Sequence, residues 1–84
     1  MTSEWLPIKR IEETMLKHDF IKVKARHRDG LLHFKKPKRF SVVHAIFTLN
    51  GDLARLEDAH FEAHFHSSLH SRRLVEQIRE FLAD

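Results

Sequence analysis

The sequence predicts an α+β fold of order α-β-β-β-β-α, an antiparallel four-stranded meander with two terminal helices packed on one face. Apolar residues recur at helical spacing near both ends of the chain. Between them lie segments that alternate or run apolar, as strands do. Asp29-Gly30 and Asn50-Gly51, dipeptides suited to tight hairpin turns, punctuate that middle. The 84 residues are expected to form a single small domain, 1–84, which at this size buries roughly 60–65% of its unfolded surface.

Ser3 or the residues just after it open the first helix, with Pro7 tolerated in its first turn. Ile8, Ile11 and Met15 recur on one stripe beside Leu16, and Lys9, Arg10, Glu12, Glu13 and Lys17 stay outside. Trp5 is expected at the helix entry, and the helix ends near His18-Asp19.

From Phe20 to Arg28, Lys22, Lys24, Arg26 and Arg28 alternate with Ile21, Val23, Ala25 and His27. A period of two sets cations on one face of a strand and apolar groups on the other. A type I′ turn at Asp29-Gly30 would return Leu31–Lys35 antiparallel, with Arg26 facing His33 and Lys24 facing Lys35 outside. Ala25 would then face Phe34, and Val23 would face Lys36, on the inner side. Like charges placed opposite each other destabilise a hairpin, so such a face suits a negative partner.

Pro37 interrupts the pattern and marks a loop or a strand edge. Phe40–Leu49 is almost continuously apolar and reads as a central strand buried on both faces, followed by the Asn50-Gly51 turn. In 53–66, His60, Glu62, His64 and His66 alternate with Phe61, Ala63 and Phe65, which favours a strand over a helix. A bulge near Glu57-Asp58 brings its apolar sets into phase. Ser67, Ser68 and Ser71 offer caps for the last helix, striped by Leu74, Val75, Ile78, Phe81 and Leu82. The expected core is Ile8, Ile11, Met15, Ile21, Val23, Phe34, Val43, Phe47, Phe61, Phe65, Val75, Ile78 and Phe81. Should Val42 and Ile46 face outward beside His44, they would form an apolar strip suited to a dimer or protein partner.

Residues 22–39 hold eight of the fifteen Lys and Arg against one acid, while the remainder holds seven cations against eleven acids. A basic block on a mildly acidic body points to a specific acidic partner. The expected function is therefore a small, non-enzymatic nucleic-acid-binding module that grips RNA or duplex DNA through the basic hairpin, residues 20–39, and the last helix N-terminus. Phosphate contacts fall to Lys22, Lys24, Arg26, Arg28, His33, Lys35, Lys36, Lys38, Arg39, Arg72 and Arg73. The alternative is an adaptor or inhibitor, possible as a homodimer, that docks on an acidic protein surface.

A third reading rests on the histidines: His60, His64 and His66 share one strand face, and His44 on a neighbouring strand would add a ligand for a divalent metal such as zinc. Otherwise no cofactor is implied. His64-Phe65-His66 resembles the His-hydrophobic-His motif of relaxases and rolling-circle nucleases, but the chain has no tyrosine to act as their nucleophile. The helix–sheet–helix order resembles double-stranded-RNA-binding domains and the small mRNA-cleaving toxins that share their fold. In those toxins a histidine following a glycine early in the sheet is active, and Gly30-Leu31-Leu32-His33 matches that only loosely. This resemblance covers element order and not sequence.

Absence of cysteine excludes disulfides and thiolate metal sites. No apolar run reaches the ~18 residues of a membrane span, and the first residues carry no apolar leader, so a cytoplasmic, membrane-free protein is expected.

Overall fold

A computed structural model describes residues 4–24, 30–63, 68–70 and 72–83. The elements are β1 (Leu6–Pro7), α1 (Ile8–Lys17), β2 (Ile21–Val23), β3 (Leu31–Pro37), β4 (Ser41–Asn50), β5 (Leu53–Ala63), β6 (Ser68–His70) and α2 (Arg72–Ala83). The α+β meander stands as β2-β3-β4-β5, every neighbouring pair antiparallel. Two short strands extend it: β1 pairs with the start of β5 and β6 with its end.

Helix α1 begins later than the sequence suggests, because Leu6-Pro7 is drawn into the sheet opposite Leu53-Ala54. Pro7 is the N-cap residue and makes no side-chain cap, and the Ile8 amide instead donates to the Asp52 carbonyl at 3.0 Å. Trp5 does stand at the entry, with the Arg55 guanidinium 4.7 Å above its ring. The far end closes as a Schellman turn: Asp19 N–H donates to Leu16 O at 3.0 Å and Phe20 N–H to Met15 O at 2.9 Å. Asp19 takes φ +69°, the left-handed position that glycine usually fills.

That turn decides the phase of β2. It delivers Phe20 into the core, so the next residues alternate outward from a buried aromatic ring. Ile21, expected in the core, is 51% exposed. Val23 lies half-buried on the same outer face, whereas Lys22 points to the helix side and donates to Glu12 of α1 at 2.6 Å. The hairpin register changes with it. Val23, not Arg26, lies opposite His33, and Ile21, not Lys24, lies opposite Lys35. An offset by an odd number of residues inverts every side chain, so the single-faced cation row is not formed by β2. Residues 25–29, including Arg26, Arg28 and Asp29 of the expected turn, lie outside the described residues.

The second hairpin turns through Gly51-Asp52, one residue later than Asn50-Gly51, since Asn50 pairs with Leu53. Gly51 has φ +61°, the conformation a type II′ turn needs at its first central position. In β5 the expected bulge is present: Ile46 pairs with Asp58 and Phe47 with Leu56, leaving Glu57 as the extra residue. It allows Leu56 and Ala59 to face the core together.

Both helices pack on one face of the sheet, around Phe34, Phe47, Leu32 and Val43 below and Ile11, Met15, Leu74, Ile78 and Leu82 above. Ala45 and Ala59, paired across β4 and β5, are fully buried in that layer. The rings of His18 and Phe81 stack at 3.8 Å and join the two helices. Strand β4 is therefore not buried on both faces. Val43, Ala45 and Phe47 are buried beneath the helices, while Val42, His44, Ile46 and Thr48 are half-buried on the opposite, open face. Phe65, Ser67 and Ser71 lie outside the described residues, and Ser68 belongs to β6.

Candidate nucleic-acid interface and histidine cluster

The basic residues separate into three groups once the chain is folded. Lys22 is tied to Glu12 on the helix side, and Lys36, on that same side, reaches over the Phe20 ring at 5.8 Å. Lys24 is exposed just beyond β2, and Lys35 is exposed on the open face. The third group is the β3–β4 turn, where Pro37, Lys38, Arg39 and Phe40 are all exposed. Lys38 N–H donates to Ser41 O at 2.7 Å and closes this turn. The Arg39 guanidinium stands 5.4 Å above the Phe40 ring, and Lys38 Nζ is 6.0 Å from the ring of Phe61.

Arg72 and Arg73 open α2 and are exposed. Strand β6 leads toward them from the row of Pro37, Val42, Glu62 and Ser68 to the row of Lys35, His44, His60 and His70, and α2 opens two residues after His70. Glu76, one turn into α2, lies 3.6 Å from Arg79.

His33 is placed differently from the other expected contacts. It is only 8% exposed, and its Nε2 lies 2.7 Å from Nδ1 of His44. A side chain held this way offers little surface to a phosphate. The same bond opens onto a polar cluster that sequence spacing does not reveal. His44 Nε2 lies 3.0 Å from a Glu62 carboxylate oxygen. The His44 ring stacks on His60 with centroids 4.9 Å apart and an interplanar angle of 20°. His60 Nδ1 lies 3.2 Å from the Asp58 carboxylate. Thr48 adds a further bond on β4, donating to Glu57 at 2.9 Å.

The cluster follows from register. Lys35, His44, His60 and His70 occupy one row across β3, β4, β5 and β6. His33 and Asp58 lie in the adjacent row, opposite Ile46 from its two sides. An ionised carboxylate only accepts, so Glu62 takes the Nε2 proton of His44, and while His44 is neutral its Nδ1 accepts from His33 Nε2. Glu62 thereby sets the tautomers of both rings. The hydrogen bond from His44, reinforced by charge attraction to His44, holds the Glu62 carboxyl below the ordinary carboxylate range.

Of the metal ligands expected from sequence, His44 and His60 are neighbours, and His64 and His66 lie outside the described residues. Glu62, which alternates with His60 on one face of β5, joins them as expected from its spacing, and Asp58 and His33 join from positions that local sequence gives no reason to select. No helix among the described residues is long and apolar enough to cross a membrane. Comparison of the chain with family models, curated proteins and solved structures gives no match.

Proposed function

We propose that this chain is a nucleic-acid-binding module that grips phosphates with the basic end of its sheet. The observation that carries the reading is the β3–β4 turn, which presents Lys38, Arg39 and a 74% exposed Phe40 together. A ring this exposed, with the Arg39 guanidinium 5.4 Å above it, offers its open area to a nucleobase, and base–aromatic stacking is worth ~1–3 kcal/mol. Flanking cations supply the backbone contacts that release counterions. Lys35 and Lys24 extend the grip along the sheet, and Arg72-Arg73 extend it toward α2. Phe40 adds a stacking partner that makes unpaired RNA or DNA a better ligand than charge alone implies.

Fluorescence anisotropy with labelled single strands, duplex RNA and duplex DNA, between about 50 and 200 mM salt, tests this. Affinity that falls steeply with salt, and that is lost in a Lys35→Glu, Lys38→Glu, Arg39→Glu variant, is the expected result. Retained affinity in the folded triple variant would remove the assignment. Absence of binding at the lowest salt would transfer the basic turn to an acidic protein partner.

A further inference from the structure

The open face of the sheet, beside the basic turn, holds a second set of groups with its own chemistry. We propose that it binds a borderline divalent transition metal of the zinc class through His44 Nε2, His60 Nε2 and the Glu62 carboxylate. Two imidazoles and one carboxylate select such ions over magnesium or calcium, which prefer all-oxygen shells.

The spacings suit a tetrahedral ion. With bonds of about 2.0–2.2 Å, two donors on one zinc stand roughly 3.3 Å apart. His44 Nε2 and Glu62 Oε1 are 3.0 Å apart, so a metal replacing the shared proton needs only a few tenths of an ångström. His60 is held beside this pair by its stack on His44, with ring centroids 4.9 Å apart.

Orientation is supplied from behind. Metal-bound histidines hold their second nitrogen on a carboxylate or another polar group, which sets the tautomer and strengthens the ligand. Here His60 Nδ1 has the Asp58 carboxylate at 3.2 Å, and His44 Nδ1 lies 2.7 Å from His33 Nε2. On binding, the proton leaves His44 Nε2, His44 Nδ1 takes the one His33 held on Nε2, and His33 is reprotonated on Nδ1, so both rings stay neutral and His44 donates to His33. Both Nε2 atoms are thus the ones left for the ion. Among the described residues no three donors already meet at one centre. Binding exchanges the His44–Glu62 hydrogen bond for two metal bonds and turns the His60 ring out of its stack to complete the set.

The experiment uses the full chain without a histidine tag, titrated with Co²⁺ and followed by the visible absorption of the tetrahedral ion, with Zn²⁺ calorimetry for stoichiometry. One equivalent is expected. His44→Ala and His60→Ala should abolish it, and Glu62→Gln and Asp58→Asn should each weaken it by about 10–100-fold. Glu62 has a 55% exposed side chain, so Glu62→Gln keeps the fold and remains informative if a histidine variant does not. Circular dichroism of each variant separates lost binding from lost structure. No tetrahedral Co²⁺ absorption in the parent chain would overturn the proposal. So would full binding in folded Glu62→Gln and His60→Ala variants, which would place the ion elsewhere.

Discussion

His33 on β3 and His44 on β4 share a hydrogen bond of 2.7 Å between Nε2 and Nδ1, although His33 lies opposite Ile46 rather than opposite His44. The bond is diagonal across the strand pair and sits where His33 is almost sealed from water. A buried polar contact of this kind is worth more than its surface equivalent, because removing one partner leaves the other with its desolvation cost.

A double-mutant cycle tests that claim. His33→Leu and His44→Leu should each destabilise the protein by ~1–3 kcal/mol. The double variant should lose less than the sum, giving a coupling energy of ~0.5–3 kcal/mol in urea unfolding. Additive losses would mean the two rings act independently.

Asp19 closes α1 in a left-handed conformation that L-residues other than asparagine and aspartate rarely adopt. Asp19→Gly should stabilise by ~0.5–1 kcal/mol, keeping both Schellman bonds. For a domain of this size that raises Tm by about 2–8 °C in a thermal melt.

Gly51 behaves oppositely. Space is not the obstacle, since a Cβ there would meet nothing within 4 Å, but φ is +61°. Gly51→Ala should therefore cost ~1–2 kcal/mol through the backbone alone. Asn at the same position should recover part of that loss, and chemical denaturation of the two variants would show the difference.

Two phenylalanines separate stability from binding. Phe34 is fully buried in edge-to-face contact with Phe47, their ring centroids 5.8 Å apart. Phe34→Ala should cost ~3–5 kcal/mol, a large part of the stability of a small domain. Phe40→Ala should change stability by no more than about 0.5 kcal/mol while weakening single-strand binding by ~1–3 kcal/mol. Equal single-strand affinity with and without Phe40 would confine the interface to its cations.

Each cation that meets a phosphate also leaves a signature in salt. Replacing Lys38 by Ala should reduce the slope of log K against log salt by ~0.7 on single strands and ~0.9 on duplex DNA. Lys22, engaged with Glu12, should leave that slope unchanged when it is replaced.

Much of the architecture was legible before folding. The two helical stripes place Ile11, Met15 and Ile78 at full burial, where periodicity puts them. Gly51 turns the chain within one residue of the expected position, and the bulge falls at Glu57 because only an extra residue there reconciles Leu56 with Ala59. These features depend on near neighbours, and a linear sequence displays near neighbours.

The basic hairpin and the histidine cluster depend on register, which is a relation between distant segments. The Lys/Arg alternation after Phe20 shows a period, but not which phase of it faces the helices. Burial of Phe20 under α1 decided that, turning Lys22 inward and Ile21 outward. Likewise, nothing in the spacing of His33, His44 and Glu62 distinguishes three solvated side chains from one hydrogen-bonded chain. Sequence by itself determined the helix–meander–helix order, the helix faces and, within one residue, the second hairpin turn, since these are set by local periodicity and backbone preference. Tertiary structure alone decided which strand faces share a side, because a one-residue change in pairing exchanges the two faces at no cost to the local pattern.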